Sequence, residues 1–385
     1  MRFHTNLSLY LIVIIFIAVA CRPESRNDEQ VTLNDIEPVT TSSIYPLDKG
    51  INIAHWLSQS DRRGEARLSF FSQEDLELIN ELGFDHIRVP IDEEQMWDEQ
   101  GNKNSEAFEL LHNAIEWSRQ YGLKVIVDLH ILRTHYFLDD NNPLFTEDEA
   151  LEMFLHNWRD LSDELHRYPD DLVAYELLNE PVADDPDDWN HVVRSAMAEI
   201  REREPERTVI IGSNHFKQVQ TFPDLWVPED DRNIVLSFHF YTPMLLTHYQ
   251  ASWAANVRDY NGPVNYPGQL IPEEDFEELA GVNREIAERE NAYYDLEEME
   301  EMMQVAIRVA DEHGLHLNCG EWGVVSNAPQ GDRLRWYEDM RRIFERNDIS
   351  YANWNYKSDN FGIVNFDGSR NEELIDVLSR ELNTR

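Results

Sequence analysis

Short apolar runs alternate with amphipathic helical patterns along the chain from Lys49 onward. The runs are five to seven residues long and are apolar at consecutive positions, which is typical of strands buried on both faces of a parallel sheet. We predict strands at Gly50–Ala54, Phe84–Pro90, Lys124–Leu129, Val173–Asn179, Thr208–Gly212, Ile234–Phe240, His316–Gly320 and Ser350–Asn355.

Helices are predicted between these strands, where apolar residues recur every three to four positions. The first begins after Ser72, with Asp75 in its first turn, and ends at Gly83. The connection after the fifth strand has the least regular helical pattern, near His215–Thr221. The other predicted helices are Ser105–Tyr121, Thr146–Tyr168, Pro186–Glu204, Leu296–His313, Asp332–Arg346 and Glu372–Leu382.

This alternation of eight strands with helices predicts an α/β fold, a single (β/α)8 TIM barrel. An open doubly wound sheet is the alternative, but it would usually carry a glycine-rich phosphate turn after the first strand. That turn here reads Ala-His-Trp-Leu at 54–57, which argues against a nucleotide site. A long connection, 241–315, separates the sixth strand from the seventh. It holds a long insertion before the predicted helix Leu296–His313, and the many aromatic residues of this insertion suggest a folded wall for substrate.

The amino terminus has the pattern of an export signal. Arg2 precedes a largely apolar run, Leu7–Ala20, which is too short to span a membrane. Ala18–Cys21 resembles a bacterial lipobox, so we predict a lipoprotein-type signal peptide at 1–21 and lipidation of Cys21. An ordinary signal peptide cut near Ala20 is the alternative. A flexible tether at 22–46 and a catalytic domain at 47–385 would follow.

Charge and cysteine content narrow the function classes. The net charge of −42 makes nucleic acid an unsuitable partner, because phosphate binding needs a basic surface. Five of the 33 basic residues are lysines, and so acidic a surface suggests a saline habitat. Activity that does not rise with salt would remove that hypothesis. Cys21 and Cys319 are the two cysteines, and we predict no disulfide between them.

Polar residues follow the predicted strands at the edge of the barrel where ligands bind. The clearest case is Ala174–Pro181, a buried strand that ends in Asn179 and Glu180 before a proline. Each such residue alone has a structural explanation, but together they come from six of the eight strands. The set is Arg88, His130, Asn179, Glu180, His239, Tyr241, Glu321 and Trp354.

Two of these residues, Glu180 and Glu321, suggest glycoside hydrolysis, which needs one protonated and one ionised carboxyl group. We expect Arg88 and Tyr241 to hold Glu321 ionised, and its charge to keep Glu180 protonated. The chain has neither a His-Glu-x-x-His metal motif nor a Gly-x-Ser-x-Gly elbow, and we predict no metal and no cofactor.

The eight residues, in this order and at these strands, resemble those that glycoside hydrolase family 5, the cellulase family, holds in common. The resemblance covers Lys49 to the end of the chain. It implies a retaining enzyme with Glu180 as acid/base and Glu321 as nucleophile. It also implies that Asn179 binds the 2-hydroxyl of the sugar in the −1 subsite, and that Trp354 forms the floor of that subsite.

The resemblance implies supporting roles for the rest of the set. Arg88 and Tyr241 would position the nucleophile, His239 would bond near the acid/base, and His130 would line the −1 subsite. The segment after the fifth strand, 213–216, lacks the Trp found there in many family cellulases.

Two tryptophans outside this set, Trp56 and Trp322, are candidates for further sugar subsites, whereas Trp189 is expected to pack in the core.

The predicted function is therefore endo-acting hydrolysis of β-1,4-glucan or a related β-glucan or mannan by an exported protein. Its membrane association would come only from the lipid at Cys21. Two alternatives stay open among enzymes, an exo-β-glucosidase and a transglycosylase acting on oligosaccharides. A non-catalytic sugar-binding lipoprotein is a third, although such a protein would be expected to have lost a carboxylate.

Overall fold

The fold is known from a computed structural model, which describes residues 45–380. The predicted signal peptide, Cys21 and the predicted tether up to residue 44 lie outside the described residues. Within the described range, no helix is both long enough and apolar enough to cross a bilayer.

Eight parallel strands close into a barrel, each pairing with its neighbours in chain order and the last pairing with the first. This confirms the predicted (β/α)8 barrel. The strands are β1 Lys49–Asn52, β2 His86–Asp92, β3 Lys124–Ile131, β4 Val173–Glu176, β5 Val209–Gly212, β6 Ile234–Phe240, β7 His316–Trp322 and β8 Ser350–Asn353.

The carboxyl end of β4 was predicted three residues too late. The regular strand stops at Glu176, and the chain continues as an irregular segment whose Asn179 N–H donates to the carbonyl of Leu129 (2.9 Å). Leu177 and Leu178 are buried, and apolar residues fit a packed irregular segment as well as they fit a strand.

The carboxyl end of β7 lies two residues beyond its predicted end. The pairing with β6 shifts between Phe238 and His239, and Gly320 is the extra residue on β7. A Cβ at Gly320 would lie 2.9 Å from Ser237 Oγ and 3.3 Å from His239 Nε2. Glycine at this bulge therefore lets His239 approach β7 beside Glu321.

Seven helices of eight or more residues pack outside the barrel within residues 45–380, in addition to one in the insertion. The fifth connection has no such helix. It contains a short turn, Asn214–Lys217, and a 3-10 segment, Val219–Asp224, so the helix predicted near His215–Thr221 was wrong. The seven are α1 Gln73–Glu81, α2 Ser105–Tyr121, α3 Asp148–Leu165, α4 Pro186–Arg203, α5 Leu296–His313, α6 Gln330–Arg346 and α7 Glu372–Ser379.

Shorter segments complete the connections. They are the helices Glu65–Leu68 and Glu93–Met96 and the 3-10 turn Pro143–Phe145. The insertion after β6 contributes Met244–Thr247, Glu273–Glu278, Gly281–Glu290 and a two-stranded ladder of Gly268–Gln269 with Tyr293–Tyr294.

The insertion is folded against the barrel. Tyr266 is fully buried and its hydroxyl donates to Asp339 Oδ2 on α6 (3.0 Å). Thr247 Oγ1 donates to the carbonyl of Tyr241 (2.6 Å), just beyond β6. Some aromatic residues of the insertion are buried, as Tyr266 is, and others are exposed, as Trp253 is at 43%. Their predicted contact with substrate stays a prediction.

Tyr45 closes the amino-terminal end of the barrel. Its side chain is fully buried, and its hydroxyl donates to the carbonyls of Val125 (3.0 Å) and Leu172 (3.1 Å). Tyr45 therefore packs against the barrel although it lies in the range predicted as tether, and the bounds of the tether stay a prediction. Tyr45 packs in one apolar cluster with Leu47, Ile126, Ala174, Ile210 and Val235.

Candidate active site

The carboxyl ends of the strands bring the predicted polar residues into one buried cluster. Seven of the eight are at least nine-tenths buried, and Tyr241 is half-buried beside them. Hydrogen bonds and ring contacts connect the whole set: Arg88, His130, Asn179, Glu180, His239, Tyr241, Glu321 and Trp354.

Glu321 accepts hydrogen bonds through both of its carboxyl oxygens. Arg88 Nη1 donates to Oε1 (2.7 Å), and the Tyr241 hydroxyl donates to Oε2 (3.0 Å). Burial and the charge of Glu321 raise the pKa of Tyr241 well above its usual value, so this phenol remains a donor. The two donors fix the orientation of the carboxylate.

Arg88 is the centre of the buried charges. Its guanidinium bonds Glu176 through Nε (2.7 Å) and Nη2 (2.8 Å), and Nη2 also lies 2.9 Å from Asp128 Oδ2. It donates to the side-chain oxygens of Asn52 and Asn179, each at 2.9 Å. One planar fork thereby aligns residues from several strands.

Glu180 has a different environment. The chain turns at this residue, whose φ of +29° is unusual for a side chain with a Cβ. Its Oε1 lies 2.8 Å from His239 Nδ1 and shares a hydrogen bond with it. Burial lowers the pKa of His239 well below its usual value, helped by the positive charges of Lys217 and Arg88, so this partner is neutral.

The two glutamates differ in how far their pKa values depart from normal. Burial raises the pKa of Glu180 well above its usual value, and the negative charge of Glu321 adds to this rise. Burial also raises the pKa of Glu321, against the opposing charge of Arg88. Arg88 therefore acts against burial at Glu321, and the ionisation of Glu321 before Glu180 stays a prediction.

Two of the buried nitrogen atoms that have no hydrogen-bond partner among the described residues point to ligand contacts at the site. They are Nδ2 of Asn179 and Nε2 of His239. Because unpaired buried donors are costly, such atoms indicate contacts that a ligand or water makes. His130 lies parallel to Trp354, with ring centroids 5.8 Å apart, and Asp128 holds His130 Nδ1 at 2.7 Å.

One group of three metal-type donors occurs within residues 45–380, formed by Glu180, His239 and Glu321. One donor atom from each residue lies within 4.8 Å of the other two. Protein groups already bond these side chains, as described above, and the absence of a metal stays a prediction.

A family model for cellulases, glycosyl hydrolase family 5, matches residues 60–360. This chain belongs to glycoside hydrolase family 5. It is a glycoside hydrolase.

Relatives within family 5 cover most of the chain. Endoglucanase C of Acetivibrio thermocellus is 32% identical over 338 residues, which are 86% of this chain and 97% of the relative. Cellodextrinase A of Ruminococcus flavefaciens is 31% identical over 306 residues, 78% of this chain and 83% of the relative.

Solved structures share the family 5 barrel. Thermotoga maritima Cel5A, solved with mannotriose, has a TM-score of 0.69 at 23% identity and covers 89% of this chain and 100% of its own. The cellulose synthase subunit Z of Clostridioides difficile has a TM-score of 0.70 at 22% identity, with 87% and 100% covered. At these identities the likeness concerns the fold alone.

The structure corrects two of the predicted subsite residues of this family 5 enzyme. Trp56 is fully buried against Phe71, and its indole N–H donates to the carbonyl of Arg67 (2.9 Å). Trp322 is fully buried among aromatic rings that include Trp336 and Tyr351. Both side chains pack in the protein and cannot contact a sugar.

Sequence reasoning also missed a residue of the site. Lys217 lies fully buried at the end of the turn after β5 and forms an ion pair with Glu176. Glu176 is also paired with Arg88 (2.7 Å). The scarcity of lysine in the chain was the one signal that could have drawn attention to Lys217.

Proposed function

We propose that the protein is a retaining β-glycoside hydrolase that cleaves within β-1,4-glucan chains. The observation that carries the proposal is the short separation of Glu180 and Glu321, since one carboxyl oxygen of each lies within 4.8 Å of one of the other. Retaining enzymes hold their two carboxyl groups about 5 Å apart, whereas inverting enzymes leave more than about 6.5 Å for a water molecule.

The proposed mechanism has two displacements. In the first, a Glu321 oxygen attacks the anomeric carbon while Glu180 gives its proton to the departing glycosidic oxygen. In the second, ionised Glu180 takes a proton from water, and that water displaces Glu321 from the sugar. The raised pKa of Glu180 suits the first step, and the bonds from Arg88 and Tyr241 stabilise Glu321 as it departs.

The same proposal assigns roles to the remaining groups. The unpaired Nδ2 of Asn179 would donate to the 2-hydroxyl of the sugar in the −1 subsite. Trp354, supported by the parallel His130 ring, would form the floor under that sugar. His239 would hold the Glu180 carboxyl in place for proton transfer.

Removing each carboxyl separately tests this mechanism. We expect Glu321→Ala and Glu180→Ala each to lower kcat by roughly 10⁴-fold on unactivated substrates. Azide should restore turnover of activated substrates by both variants. The product should be an inverted glycosyl azide with Glu321→Ala and a retained one with Glu180→Ala. The opposite pairing would exchange the two roles.

The choice of substrate rests on the relatives. Similarity to an endoglucanase over 97% of its length supports endo action on β-glucan. Similarity to a cellodextrinase supports an alternative, hydrolysis of short β-glucan oligosaccharides. Product sizes from carboxymethyl cellulose, mixed-linkage glucan, xyloglucan, glucomannan, mannan and laminarin separate the two. Mixed short oligomers from one polymer establish endo action, and turnover confined to oligosaccharides establishes the alternative.

We also propose that the enzyme is exported and anchored by lipid at Cys21. The support is the sequence pattern of Arg2, the apolar run Leu7–Ala20 and the lipobox-like Ala18–Cys21. Labelled palmitate should be incorporated by the full chain in a bacterial host, and a Cys21→Ser variant should incorporate none. Equal labelling of both proteins would contradict the anchor.

A further inference from the structure

Lys217 lies beneath the catalytic pair, inside the barrel. Its side chain and that of its ion-pair partner Glu176 are both fully buried. Lysine is almost never fully buried, because its ammonium group loses the solvation of water. A lysine in this position therefore calls for a role that a smaller or apolar residue could not serve.

The chain makes room for this lysine at Gly212, the last residue of β5. A Cβ at Gly212 would lie 2.4 Å from Lys217 Cε, 2.5 Å from Cδ and 2.6 Å from Cγ. Any other residue at this position would overlap the methylene stem. The absence of a side chain at Gly212 is what lets Lys217 reach Glu176 across the interior.

The turn that carries Lys217 has an unusual backbone. His215, Phe216 and Lys217 have consecutive positive φ values of 49°, 62° and 54°, although none is glycine. Such conformations are unfavourable and persist where the surroundings enforce them, often at functional sites. The Phe216 N–H donates to the carbonyl of Pro181 (3.2 Å), so the turn is attached to the segment that follows Glu180.

Lys217 offsets part of the negative charge that is buried beneath Glu180 and Glu321. Arg88 alone would face three buried carboxylates, Asp128, Glu176 and Glu321, within 2.9 Å. Lys217 provides a second buried cation and shares Glu176 with Arg88. The other titratable groups around Lys217 and the two catalytic glutamates come from several strands. They are Arg88 from β2, Asp128 and His130 from β3, Glu176 from β4, His239 from β6, Tyr241 beyond β6 and Cys319 from β7.

We propose that Lys217 is a positioning residue for both catalytic carboxyls. Lys217 and Arg88 share the charge of Glu176, so that Arg88 can bond Glu176 and still orient Glu321 through Nη1, and the charge of Lys217 favours the ionised form of Glu321. The charge of Lys217 lowers the pKa of Glu180 and of Glu321 against the effect of burial. This inference rests on the catalytic roles proposed above for the two glutamates.

The test compares pH profiles of kcat/KM on an aryl β-cellobioside. With Lys217→Met, both limbs should move to higher pH by about 0.5–1 unit, because each carboxyl loses a nearby positive charge. With Glu176→Gln, both limbs should move to lower pH by a similar amount, because each loses a negative neighbour. The double variant removes both charges, and its limbs should return close to those of the wild type.

A purely structural role would give a different result. Lys217→Met would then lose thermal stability and activity while both limbs stayed in place, and that result would overturn the proposal. If Lys217→Met fails to fold, the double variant and Glu176→Gln decide, since identical limbs in these two also overturn it. Lys103→Met removes a lysine that pairs outside the barrel with Glu164 of α3 (2.6 Å), and it should leave both limbs unmoved.

A titration without turnover separates this inference from the proposed function. Carbon NMR of protein labelled at the glutamate carboxyls reads the pKa values of Glu180 and Glu321 directly, with Glu180→Gln and Glu321→Gln used for assignment. We expect both values to rise in Lys217→Met even if no β-glucan is a substrate. If the wild type hydrolyses the cellobioside but the titrations of Glu180 and Glu321 are unchanged in Lys217→Met, the role of Lys217 alone is refuted.

Discussion

The two ends of the barrel interior are built on opposite principles. At the amino-terminal end, Ile126 and Ala174 belong to an apolar cluster closed by Tyr45. Two residues further along the same strands, Asp128 and Glu176 belong to a buried network of charges. Alternate residues of a strand face the same side, so this change of character takes place over about 7 Å.

The difference shows that one end of the interior stabilises the fold, whereas the other serves function at a cost in stability. Apolar burial at the amino-terminal end favours folding directly. Buried charges at the carboxyl-terminal end lose the solvation of water. Their attraction to one another at best offsets that cost. Changes at the first end should therefore act on stability alone, and changes at the second should act on activity and on its pH dependence.

The largest effect is expected at Arg88. Arg88→Met would leave Asp128, Glu176 and Glu321 buried with Lys217 as their remaining close cation, at a cost of about 3–5 kcal/mol in the free energy of unfolding. Urea unfolding and kcat should both show large losses. Arg88→Lys keeps the charge without the planar fork, and it should recover stability better than activity. Full activity in Arg88→Met would contradict the account.

Tyr45→Ala tests the other end of the interior. Removal of a fully buried aromatic ring should lower the free energy of unfolding by about 3 kcal/mol. The kcat of the folded protein should not change, because Tyr45 lies at the far end of the barrel from Glu180. Tyr45→Phe, which loses only the hydroxyl, should cost about 1 kcal/mol. A changed pH profile in either variant would show that the two ends are not independent.

Glu180→Gln should stabilise the protein while inactivating it. Because the folded-state pKa of Glu180 is raised, its contribution to stability is full below the unfolded pKa near 4.5 and is lost as pH rises toward the folded value. Glutamine removes that loss. Thermal unfolding should show a gain in stability at pH 7 and almost none at pH 4. A gain of equal size at both values would mean that protonation is not its source.

The smallest effects are expected at two tryptophans, one packed in the protein and one in the proposed −1 subsite. Trp322→Phe should lower the free energy of unfolding by about 1 kcal/mol and leave KM unchanged, because the ring packs among other aromatics. Trp354→Phe should raise KM with little loss of stability. The two variants, compared by thermal unfolding and steady-state kinetics, should give opposite patterns, and a raised KM for Trp322→Phe would restore it as a subsite residue.

The barrel and the catalytic set could be predicted because both leave local marks in the sequence. Buried parallel strands are continuous apolar runs, and residues such as Asn179 and Glu180 stand out where such a run ends. Parallel topology then brings the ends of all strands to one edge. The contact between Arg88 and Glu321, which are far apart in the sequence, could therefore be predicted from the fold class.

The missed features depend on direction in space, which apolar patterns do not record. Trp322 follows Glu321 immediately, but adjacent strand residues face opposite sides, and the tryptophan points to the helices. Lys217 sits in a turn whose positive φ values have no signature in non-glycine residues. Tyr45 joins the barrel through contacts with residues that lie far along the chain.

The central claim is that the charged end of the barrel prepares Glu321 as a nucleophile and Glu180 as its proton donor. Covalent trapping tests it most directly. A 2-deoxy-2-fluoro-β-cellobioside with a good leaving group should inactivate the enzyme, and mass spectrometry of its peptides should find the fluorosugar on Glu321. A fluorosugar on Glu180, or hydrolysis that releases the inverted anomer with no trapped intermediate, would contradict the account.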